Sequence, residues 1–421
     1  MSPDDGRATA PEAPVAESGP TIRHDRPPFL AVVSDADSET ILREGLADAL
    51  PGTLDIRRGN IRTAIALLHK LATPETLIVD ISGEERALNA LGDLSDVVEP
   101  GVRVLVIGEF EDVNFYRHVT RGLGALEYLY KPLTRDMVAR HFGPLIARKA
   151  PATQGVQGGR VVAVIGARGG VGASSVAVHL AWHFGVEARR HTVLLDADVH
   201  QGTAALMLGA KPSPGLRVAL EAPSRVDSLF VERAAQPAAD RLHVLGAEEK
   251  VHEPLAYSAG AAANLINALK SRYNFVIIDL PYSPLPWHRE MFDLVNQRIL
   301  VTEPSVHAMR DTLRLMALPN APSQPRRAMI VLNRAGIPGG LKSAHVTEAL
   351  KAKPDIEIPY IPRLVGHAAN LGTPGHAAKG PFRTAILSIA REVAFLGKPQ
   401  HGEESGGKKR KAARKRLFGI F

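Results

Sequence analysis

The stretch that decides the fold lies near the middle of the chain and reads RVVAVIGARGGVGASS over residues 160–175. It opens with an apolar run of the kind found in strands that are buried on both faces of a sheet. A glycine-rich turn follows, and residues 174–184 have the pattern of a helix. Glycines let the backbone approach a phosphate, and the N–H groups at a helix N-terminus favour negative charge. The stretch therefore predicts a phosphate-binding turn, although a plain glycine-rich turn between a strand and a helix would look similar.

The turn departs from the usual phosphate-binding loop at one position. The pattern G-x-x-x-x-G-K-[ST] is met at Gly166, Gly172 and Ser174, but Ala173 stands where the pattern has lysine. Loss of that ammonium group is expected to weaken phosphate binding. It should weaken the stabilisation of transition-state charge even more.

Carboxylates end two further apolar runs. The run over residues 193–198 ends with Asp196 and Asp198, and the run over residues 275–279 ends with Asp279. Carboxylates at the carboxyl ends of strands, beside a phosphate loop, are where Mg²⁺ and an attacking water would be held. One Asp at a strand end is often only a helix cap or turn residue. Three in this order favour a nucleotide site.

Strand and helix patterns alternate in both halves of the chain. In the first half, strands are expected at 29–33, 54–57, 76–81, 102–107 and 127–130, and helices at 39–50, 61–71, 85–97, 114–121 and 134–147. In the second half, strands are expected at 160–165, 192–195, 242–245, 275–278, 298–301 and 329–332. Such alternation predicts an α/β fold with two doubly wound parallel-sheet domains, the first of them flavodoxin-like.

Composition marks the boundaries of these domains. Residues 1–27 are rich in Pro, Ala, Gly and charge and predict a disordered leader. Residues 148–159 read as a linker between a domain at 28–147 and a domain at 160–397. Residues 398–421 read as a flexible basic tail.

The charge of the chain is concentrated in that tail. Seven of the 51 Lys+Arg lie within residues 408–416, so the other 44 balance the 44 Asp+Glu. A neutral body argues against nucleic acid as a partner. The apolar residues 417–421 follow the bases directly, and the combination predicts an anchor on an anionic membrane surface. A solvated tail without a ligand is the alternative.

Two features that the sequence lacks limit the cellular compartment in which the protein is expected. The chain has no Cys, which excludes disulfides, cysteine metal sites and thiol catalysis. No apolar run approaches the roughly 20 residues of a spanning helix, and the N-terminal residues lack the apolar core of a signal peptide. A cytoplasmic protein is expected.

The order of these motifs resembles a known family. An Arg-Gly-Gly-Val-Gly-x-Ser loop, an Asp-x-Asp segment followed by Gln201-Gly202, and a Val-Ile-Ile-Asp-Leu-Pro segment resemble the deviant Walker A ATPases related to MinD and ParA. The segments at 301–305 and 331–334 are similar too, and the resemblance covers residues 160–397. The fusion to a receiver-like domain resembles the TadZ/CpaE group of Tad/Flp pilus proteins. The implied fold is a receiver-type domain followed by a P-loop NTPase of MinD/ParA type.

The resemblance also implies ligands and roles for individual residues. It implies ATP and Mg²⁺, with Asp198 and Arg168 as catalytic residues, and Asn333 as the adenine contact. Arg168 takes the place of the lysine that crosses the dimer. The implied nucleotide ligands are Gly166, Ala167, Arg168, Gly169, Gly170, Val171, Gly172, Ala173, Ser174, Ser175, Asn333 and Arg334, and the implied magnesium ligands are Ser174, Asp196 and Asp279.

The implied function is that of a spatial regulator with slow or absent ATP hydrolysis. The protein would form a homodimer around ATP and help localise and assemble pilus machinery at the inner membrane or cell pole. The implied partners are a pilus secretion ATPase and inner-membrane platform proteins, or a polar hub. The alternatives are a positioning or partition ATPase unrelated to pili, and an ATPase controlled by phosphorylation.

The first domain carries an incomplete receiver site. Asp80 ends the third expected strand, where a receiver has its phosphoacceptor, and Lys131-Pro132 follows the fifth. The acidic pair of receivers is reduced to Ser34-Asp35, and Gly108 stands where Ser or Thr is expected. A structural pseudo-receiver is favoured over a working phospho-switch. In the second half, Trp287 fits either a dimer interface or a packed core.

Overall fold

The structure is a computed structural model that describes residues 26–147 except 51 and 53, and residues 159–394 except 322, 325, 326 and 378. The basic tail lies outside the described residues. So do all but two residues of the expected leader and all but one of the expected linker.

The first domain is built on a five-stranded parallel sheet with the strand order β2-β1-β3-β4-β5. This is the flavodoxin-like order, with its switch point between β1 and β3. The strands are β1 (Phe29–Val33), β2 (Ile56–Arg58), β3 (Thr76–Asp80), β4 (Arg103–Gly108) and β5 (Glu127–Tyr130). Every residue of β1 and β3 is buried, because helices cover both faces of the sheet.

Helices connect these strands, and side-chain caps begin several of them. The Asp35 side chain accepts a hydrogen bond from the Ser38 backbone N–H at 2.7 Å, and Asn60 forms a capping box with Thr63. The helices are α1 (Ala36–Leu46), α2 (Ile61–Leu68), α3 (Ala87–Val97), α4 (Val113–Arg117), α5 (Arg135–Met137) and α6 (Gly143–Ala147). π-Helical turns at His118–Gly122 and Val138–Phe142 extend α4 and join α5 to α6.

The second domain is built on an eight-stranded sheet with the order β13-β12-β11-β6-β10-β7-β9-β8. Its strands are parallel except β8, which is antiparallel to β9 at one edge. They are β6 (Arg160–Gly166), β7 (Thr192–Asp196), β8 (Gln236–Ala239), β9 (Leu242–Leu245), β10 (Phe275–Asp279), β11 (Gln297–Thr302), β12 (Met329–Ala335) and β13 (Ile356–Pro359).

Helices cover both faces of this sheet. Alternate residues of β6 enter opposite cores: Val162 and Val164 pack on the face that α7 and α16 cover, and Val161 and Ile165 on the face that α9, α11 and α12 cover. The helices are α7 (Ala173–Trp182), α8 (Ala204–Met207), α9 (Gly215–Glu221), α10 (Ser228–Ala234), α11 (Ala261–Lys270), α12 (Pro286–Leu294), α13 (Val306–Met316), α14 (Ser343–Leu350), α15 (Pro362–Asn370) and α16 (Gly380–Ala394). A π-helical turn (His183–Glu187) follows α7, and 3₁₀ turns lie at Pro223–Arg225 and Pro374–Ala377.

The predicted fold class is confirmed, since both domains have helices on the two faces of a parallel sheet. Two edge strands, β8 and β13, are additional to the strands predicted from sequence. The antiparallel pairing of β8 is also a departure from a fully parallel sheet. The predicted helix at 39–50 begins earlier, because the Asp35 side chain caps α1 at Ala36, and it ends at Leu46.

The two domains meet at the amino ends of the second domain's strands. Arg160 at the start of β6 lies 3.0 Å from Asp96 of α3, and His191 before β7 lies 3.0 Å from Glu99. The Asn274 side chain before β10 donates to the Val98 carbonyl at 2.7 Å. The receiver-like domain therefore contacts the sheet edge opposite to the carboxyl ends of the strands.

None of the helices in the described part of the chain is both long enough and apolar enough to cross a membrane.

Candidate functional site

The glycine-rich turn joins β6 to α7 at the carboxyl edge of the sheet. Gly170 and Gly172 have φ values of 83° and 93°, which lie in the left-handed region that favours glycine. Gly172 also has no room for a side chain, because a Cβ there would collide with the Asn333 Nδ2 atom. Gly172 directly precedes the first residue of α7, so the turn presents the helix N-terminus to the cleft above it.

The side chain of Asn333, near the end of β12, holds the glycine-rich turn in place through hydrogen bonds. Its Nδ2 atom donates to the Val171 carbonyl at 2.8 Å, and its Oδ1 atom accepts from the Arg334 N–H at 2.9 Å. Arg334 has a φ of 57°, which is rare for a residue with a side chain. In this structure the predicted adenine contact thus bonds to the phosphate loop itself.

Two of the predicted magnesium ligands are paired residues on adjacent strands. Asp196 ends β7 and Asp279 ends β10, and the two stand opposite each other in the strand register. The Ser174 hydroxyl opposes the rise in the pKa of Asp279, and it lines the same cleft as both carboxylates. The structure therefore brings together all three predicted magnesium ligands. Two carboxylates and a hydroxyl are hard oxygen donors of the kind that suit Mg²⁺.

The electrostatics of this pair fit a cation site. Burial, with a further contribution from the Asp196 charge, raises the pKa of Asp279 to about 7. Burial also raises the pKa of Asp196 to about 6, against the opposing hydrogen bond that Ala204 donates at 2.9 Å. Each carboxylate disfavours the charge of the other, and a divalent cation between them would relieve this repulsion. No cluster of three or more His, Asp or Glu side chains suited to a metal occurs among the described residues.

Asp198, the predicted catalytic residue, shapes the loop after β7. Its Oδ1 atom accepts from the His200 N–H at 3.1 Å and from the Gln201 N–H at 2.9 Å. The side chain is half-buried and lines the same cleft as Asp196 and Asp279. Its catalytic role stays a prediction.

Two adjoining clefts lie over these groups. The first has a volume of about 480 Å³ and is lined by the glycine-rich turn, the three carboxylates and Arg334. The second has a volume of about 450 Å³ and a largely apolar wall that includes Ile358, Tyr360 and Pro362. Both volumes are typical of ligand sites. A polar cleft over a helix N-terminus beside an apolar one has the right chemistry for the phosphates and base of a nucleotide.

The cations at the site are arginines. Arg168 is exposed near the tip of the turn, and Arg334 lines both clefts. Ala173, the first residue of α7, offers only a methyl group where the usual loop has an ammonium. The predicted binding residues therefore share one site, with no lysine among those that line the first cleft.

A contact that the sequence did not predict holds the loop after β7 in place, through the neighbouring buried side chains Trp287 and His288. His288 Nε2 donates to the Ala197 carbonyl at 2.9 Å, and Trp287 Nε1 donates to the same oxygen at 3.4 Å. Burial lowers the pKa of His288, so the ring is neutral and its Nδ1 atom can accept from Ser283 Oγ at 2.7 Å. Trp287 is only 6% exposed and belongs to the core, which decides between its two predicted roles. A bond to a backbone carbonyl leaves no motif in the sequence.

Asp80 of the receiver-like domain lies in a closed cage of donors. Its side chain is fully buried, and Ser34 and Ser82 each donate to it through both backbone and hydroxyl groups. Lys131 Nζ adds a bond at 2.7 Å and also contacts Asp35. Burial alone would raise the pKa of Asp80, but the bonds from Lys131 and the serines outweigh it and lower that pKa.

The missing hydroxyl at position 108 has a packing reason. A Cβ on Gly108 would lie 2.8 Å from Ile81 Cγ1 and 2.9 Å from the Tyr128 hydroxyl oxygen. The Tyr128 hydroxyl donates to the Phe110 carbonyl at 3.0 Å and accepts from the Phe110 N–H at 2.9 Å. The buried tyrosine therefore occupies the space beside the strand end.

Comparison with known proteins agrees with this fold. A family model described as "ParA: NUBPL iron-transfer P-loop NTPase" matches residues 158–330. The uncharacterized protein Rv3660c of Mycobacterium tuberculosis is 31% identical over 271 residues, which are 62% of this chain and 72% of that protein. A ParA family ATPase from Chlorobium tepidum is 21% identical with a TM-score of 0.50, covering 55% of this chain and 98% of its own.

A pilus assembly protein, CpaE from Caulobacter crescentus, gives a partial match. It is 28% identical over 28% of this chain and 97% of its own, with a TM-score of 0.26. That score is too low for the match to support a pilus role. The family model covers the part of the chain that holds the glycine-rich turn and the paired carboxylates. The chain belongs to the ParA family of P-loop NTPases.

Proposed function

We propose that the protein is an ATP-binding spatial regulator that dimerises around ATP, hydrolyses it slowly or not at all, and helps localise and assemble Tad/Flp-type pilus machinery. The observation that carries this proposal is the cleft over the glycine-rich turn. It combines a helix N-terminus and a pair of strand-end carboxylates with Ala173 in place of the loop lysine. Mg²⁺ held by Ser174, Asp196 and Asp279 would offset the charge of the phosphates and of the leaving group.

Slow hydrolysis follows from the missing ammonium group. Removing one preorganised charge contact to a transition state commonly lowers a rate by about 10²–10³. A domain that binds ATP but rarely cleaves it would remain in its ATP-bound form for long periods. That behaviour suits a scaffold better than a motor.

Dimerisation is supported by the exposed groups around the cleft. Leu206 of α8 is 72% exposed and Val306 at the start of α13 is 69% exposed. Tyr282, which lines the cleft, is also exposed, and so is Arg168. Apolar side chains of this size, gathered at one sheet edge, favour contact with another protein surface. A second copy, face to face across the nucleotide, would cover them.

The pilus assignment rests on the order of the two domains and on the motifs that resemble the TadZ/CpaE group. We propose that the protein is cytoplasmic and lies at the surface of the inner membrane near a cell pole. It would work there with a pilus secretion ATPase and platform proteins, or with a protein hub at the pole. Membership of the ParA family suits equally a positioning ATPase with no link to pili. A deletion strain separates the two: normal pili together with misplaced other cargo would favour the alternative.

Two measurements test ATP-dependent dimerisation and slow hydrolysis: the mass of the protein in solution and its rate of ATP turnover. Light scattering after size exclusion, with Mg²⁺ and ATP, ADP or no nucleotide, should show a dimer with ATP and a monomer without it. Phosphate release should be far slower than for P-loop ATPases that keep the lysine. Rapid turnover would refute the scaffold reading, and an unchanged mass with no bound ATP would leave only a pseudo-ATPase.

For the receiver-like domain we propose a structural role without phosphorylation. The Asp80 carboxylate, the predicted phosphoacceptor, is fully buried and already accepts hydrogen bonds from Ser34, Ser82 and Lys131. A phosphodonor would have to displace these groups before it reached the carboxylate oxygen. Incubation with acetyl phosphate and Mg²⁺, followed by intact-mass measurement, tests this: a stable adduct on Asp80 would restore the phospho-switch as the better hypothesis.

A further inference from the structure

The side chains that line the first cleft carry more negative than positive charge. Three carboxylates line the cleft, at Asp196, Asp198 and Asp279, and the lining has two cations, Arg168 and Arg334. A nucleoside triphosphate would add several negative charges, and Mg²⁺ offsets only part of them. Because Ala173 supplies no charge, the cations of this chain that could meet the phosphates in the cleft are Arg168 and Arg334.

Arg168 lies at the exposed rim of the first cleft. It is exposed and lies close enough to Asp311 of α13 to influence that carboxyl. A hydrogen bond from Arg310, with a smaller contribution from the Arg168 charge, lowers the pKa of Asp311. Arg168 is therefore the more exposed of the two cations, and the Asp311 carboxylate competes with bound phosphates for its charge.

Arg334 is held against the phosphate loop by its own backbone. Its N–H donates to Asn333 Oδ1 at 2.9 Å, and Asn333 in turn donates to the Val171 carbonyl at 2.8 Å. This arrangement keeps Arg334 at a φ of 57°, in a region that residues with side chains seldom occupy. The backbone of Arg334 is thus fixed two hydrogen bonds away from the loop that leads into α7.

Glu303 orients the side chain of Arg334 but engages only part of its guanidinium. Its Nη1 atom donates to Glu303 Oε2 at 2.8 Å, and both side chains are partly exposed. A guanidinium has five N–H donors in a planar fork, so one edge can stay on a carboxylate while another binds a phosphate. Arg334 also lines both the polar cleft and the apolar cleft, at the place where they join.

We propose that Arg334 is the phosphate-binding cation that replaces the missing loop lysine, with Glu303 orienting its guanidinium. The inference rests on the nucleotide binding proposed above. It differs from stacking on the base, because a phosphate contact depends on the number of phosphates whereas stacking does not. It also differs from a purely structural Arg334–Glu303 pair, whose loss would act through stability.

The test measures the dissociation constants of ATP, ADP and adenosine, by competition with a fluorescent ATP analogue. Arg334→Gln should weaken ATP and ADP about 10- to 100-fold and leave adenosine unchanged, because it removes a hydrogen bond to a charged group. Equal losses for all three ligands would overturn the proposal in favour of a base contact. Unchanged ATP binding would overturn it as well. If the wild-type chain binds none of the three, the proposed function itself fails.

Two further variants separate charge from structure. Glu303→Gln keeps the cation but weakens the contact that orients it, so it should weaken ATP binding clearly less than Arg334→Gln does. A loss equal to that of Arg334→Gln would mean that the pair acts only through the local structure. Ala173→Lys in the Arg334→Gln background should restore ATP binding, because it returns an ammonium to the loop. Failure to restore it in a variant with a wild-type melting temperature would count against a shared role for the two positions.

Discussion

Gly172 and Gly169 belong to one turn but carry different constraints. Gly172 has a φ of 93°, and a Cβ there would collide with Asn333 Nδ2. A Cβ on Gly169 would meet no atom within 4 Å, and Gly169 is not among the glycines of positive φ. One position therefore requires glycine for backbone and packing reasons, whereas the other tolerates a methyl group in the unliganded fold.

Gly172→Ala should lower the free energy of unfolding of the nucleotide-free protein by about 1–2 kcal/mol from the left-handed backbone alone. Displacement of Asn333 from Val171 should add to that loss. Gly169→Ala is the matched control and should change stability by less than about 0.5 kcal/mol. Urea unfolding of both variants measures the difference. Equal stability for the two would show that Asn333 can move aside at no cost.

At the scale of elements, the carboxyl ends of β1, β3 and β5 meet in the Asp80 cage. Lys131 lies 2.7 Å from Asp80, which has no exposed surface. Because the hydrogen bonds outweigh burial, the pKa of Asp80 is lower in the folded state than in the unfolded chain. Its stabilising effect is therefore present above the unfolded pKa of about 4 and is lost as the pH falls through the folded value.

Lys131→Met should reverse this dependence. A buried carboxylate without its cation costs about 3–5 kcal/mol, at the lower end here because Ser34 and Ser82 still donate. The folded pKa of Asp80 would then exceed the unfolded one, so stability would fall as the pH rises above about 4. Denaturant unfolding at pH 5 and pH 8 measures this change. The double variant with Asp80→Asn removes the charge, and it should recover most of the loss and show no such pH dependence.

Sequence patterns predicted the buried strands well and the edge strands poorly. β6 and β10 are continuous apolar runs, and both were predicted within one residue of their observed ends. β8 reads QPAA and contains proline, so nothing in its local pattern indicates a strand, and only its pairing with β9 makes it one.

Site residues that act through side-chain motifs were predicted together. The brace of His288 on Ala197 was missed because its acceptor is a backbone carbonyl.

At the scale of the whole molecule, Arg160 joins three parts of the chain. It lies 3.0 Å from Asp96 of the receiver-like domain, and its Nη1 atom donates to the Ala394 carbonyl at the end of α16 at 2.6 Å. Its guanidinium also lies 5.6 Å from the centre of the Phe275 ring. Both members of the Arg160–Asp96 pair are largely buried, so water screens their attraction little. The contact should therefore stabilise the domain arrangement more than a surface ion pair would.

A double-mutant cycle on Arg160→Ala and Asp96→Ala should give a coupling energy of about 0.5–3 kcal/mol. Each single variant should also increase proteolytic cleavage between the domains, because the contact helps hold them together. Arg62→Ala with Glu84→Ala is the matched control: that pair lies within the first domain and its arginine is 75% exposed. It should couple by less than about 1 kcal/mol. Zero coupling between Arg160 and Asp96 would mean that the domains are held by their other contacts.

The basic tail at residues 408–421 lies outside the described residues, and its predicted membrane role can be tested on the full chain. Near an anionic bilayer each base contributes up to about 1 kcal/mol, and the apolar residues 417–421 add burial. The chain should therefore co-float with phosphatidylserine vesicles and not with phosphatidylcholine, and binding should weaken with salt.

Deletion of residues 408–421 should abolish flotation, while exchange of the seven bases for Gln should leave a weak, salt-independent remainder. ATP should strengthen the wild-type interaction, because two tails on one dimer bind through their effective concentration. Undiminished flotation of the deletion variant would assign membrane binding to the folded domains instead.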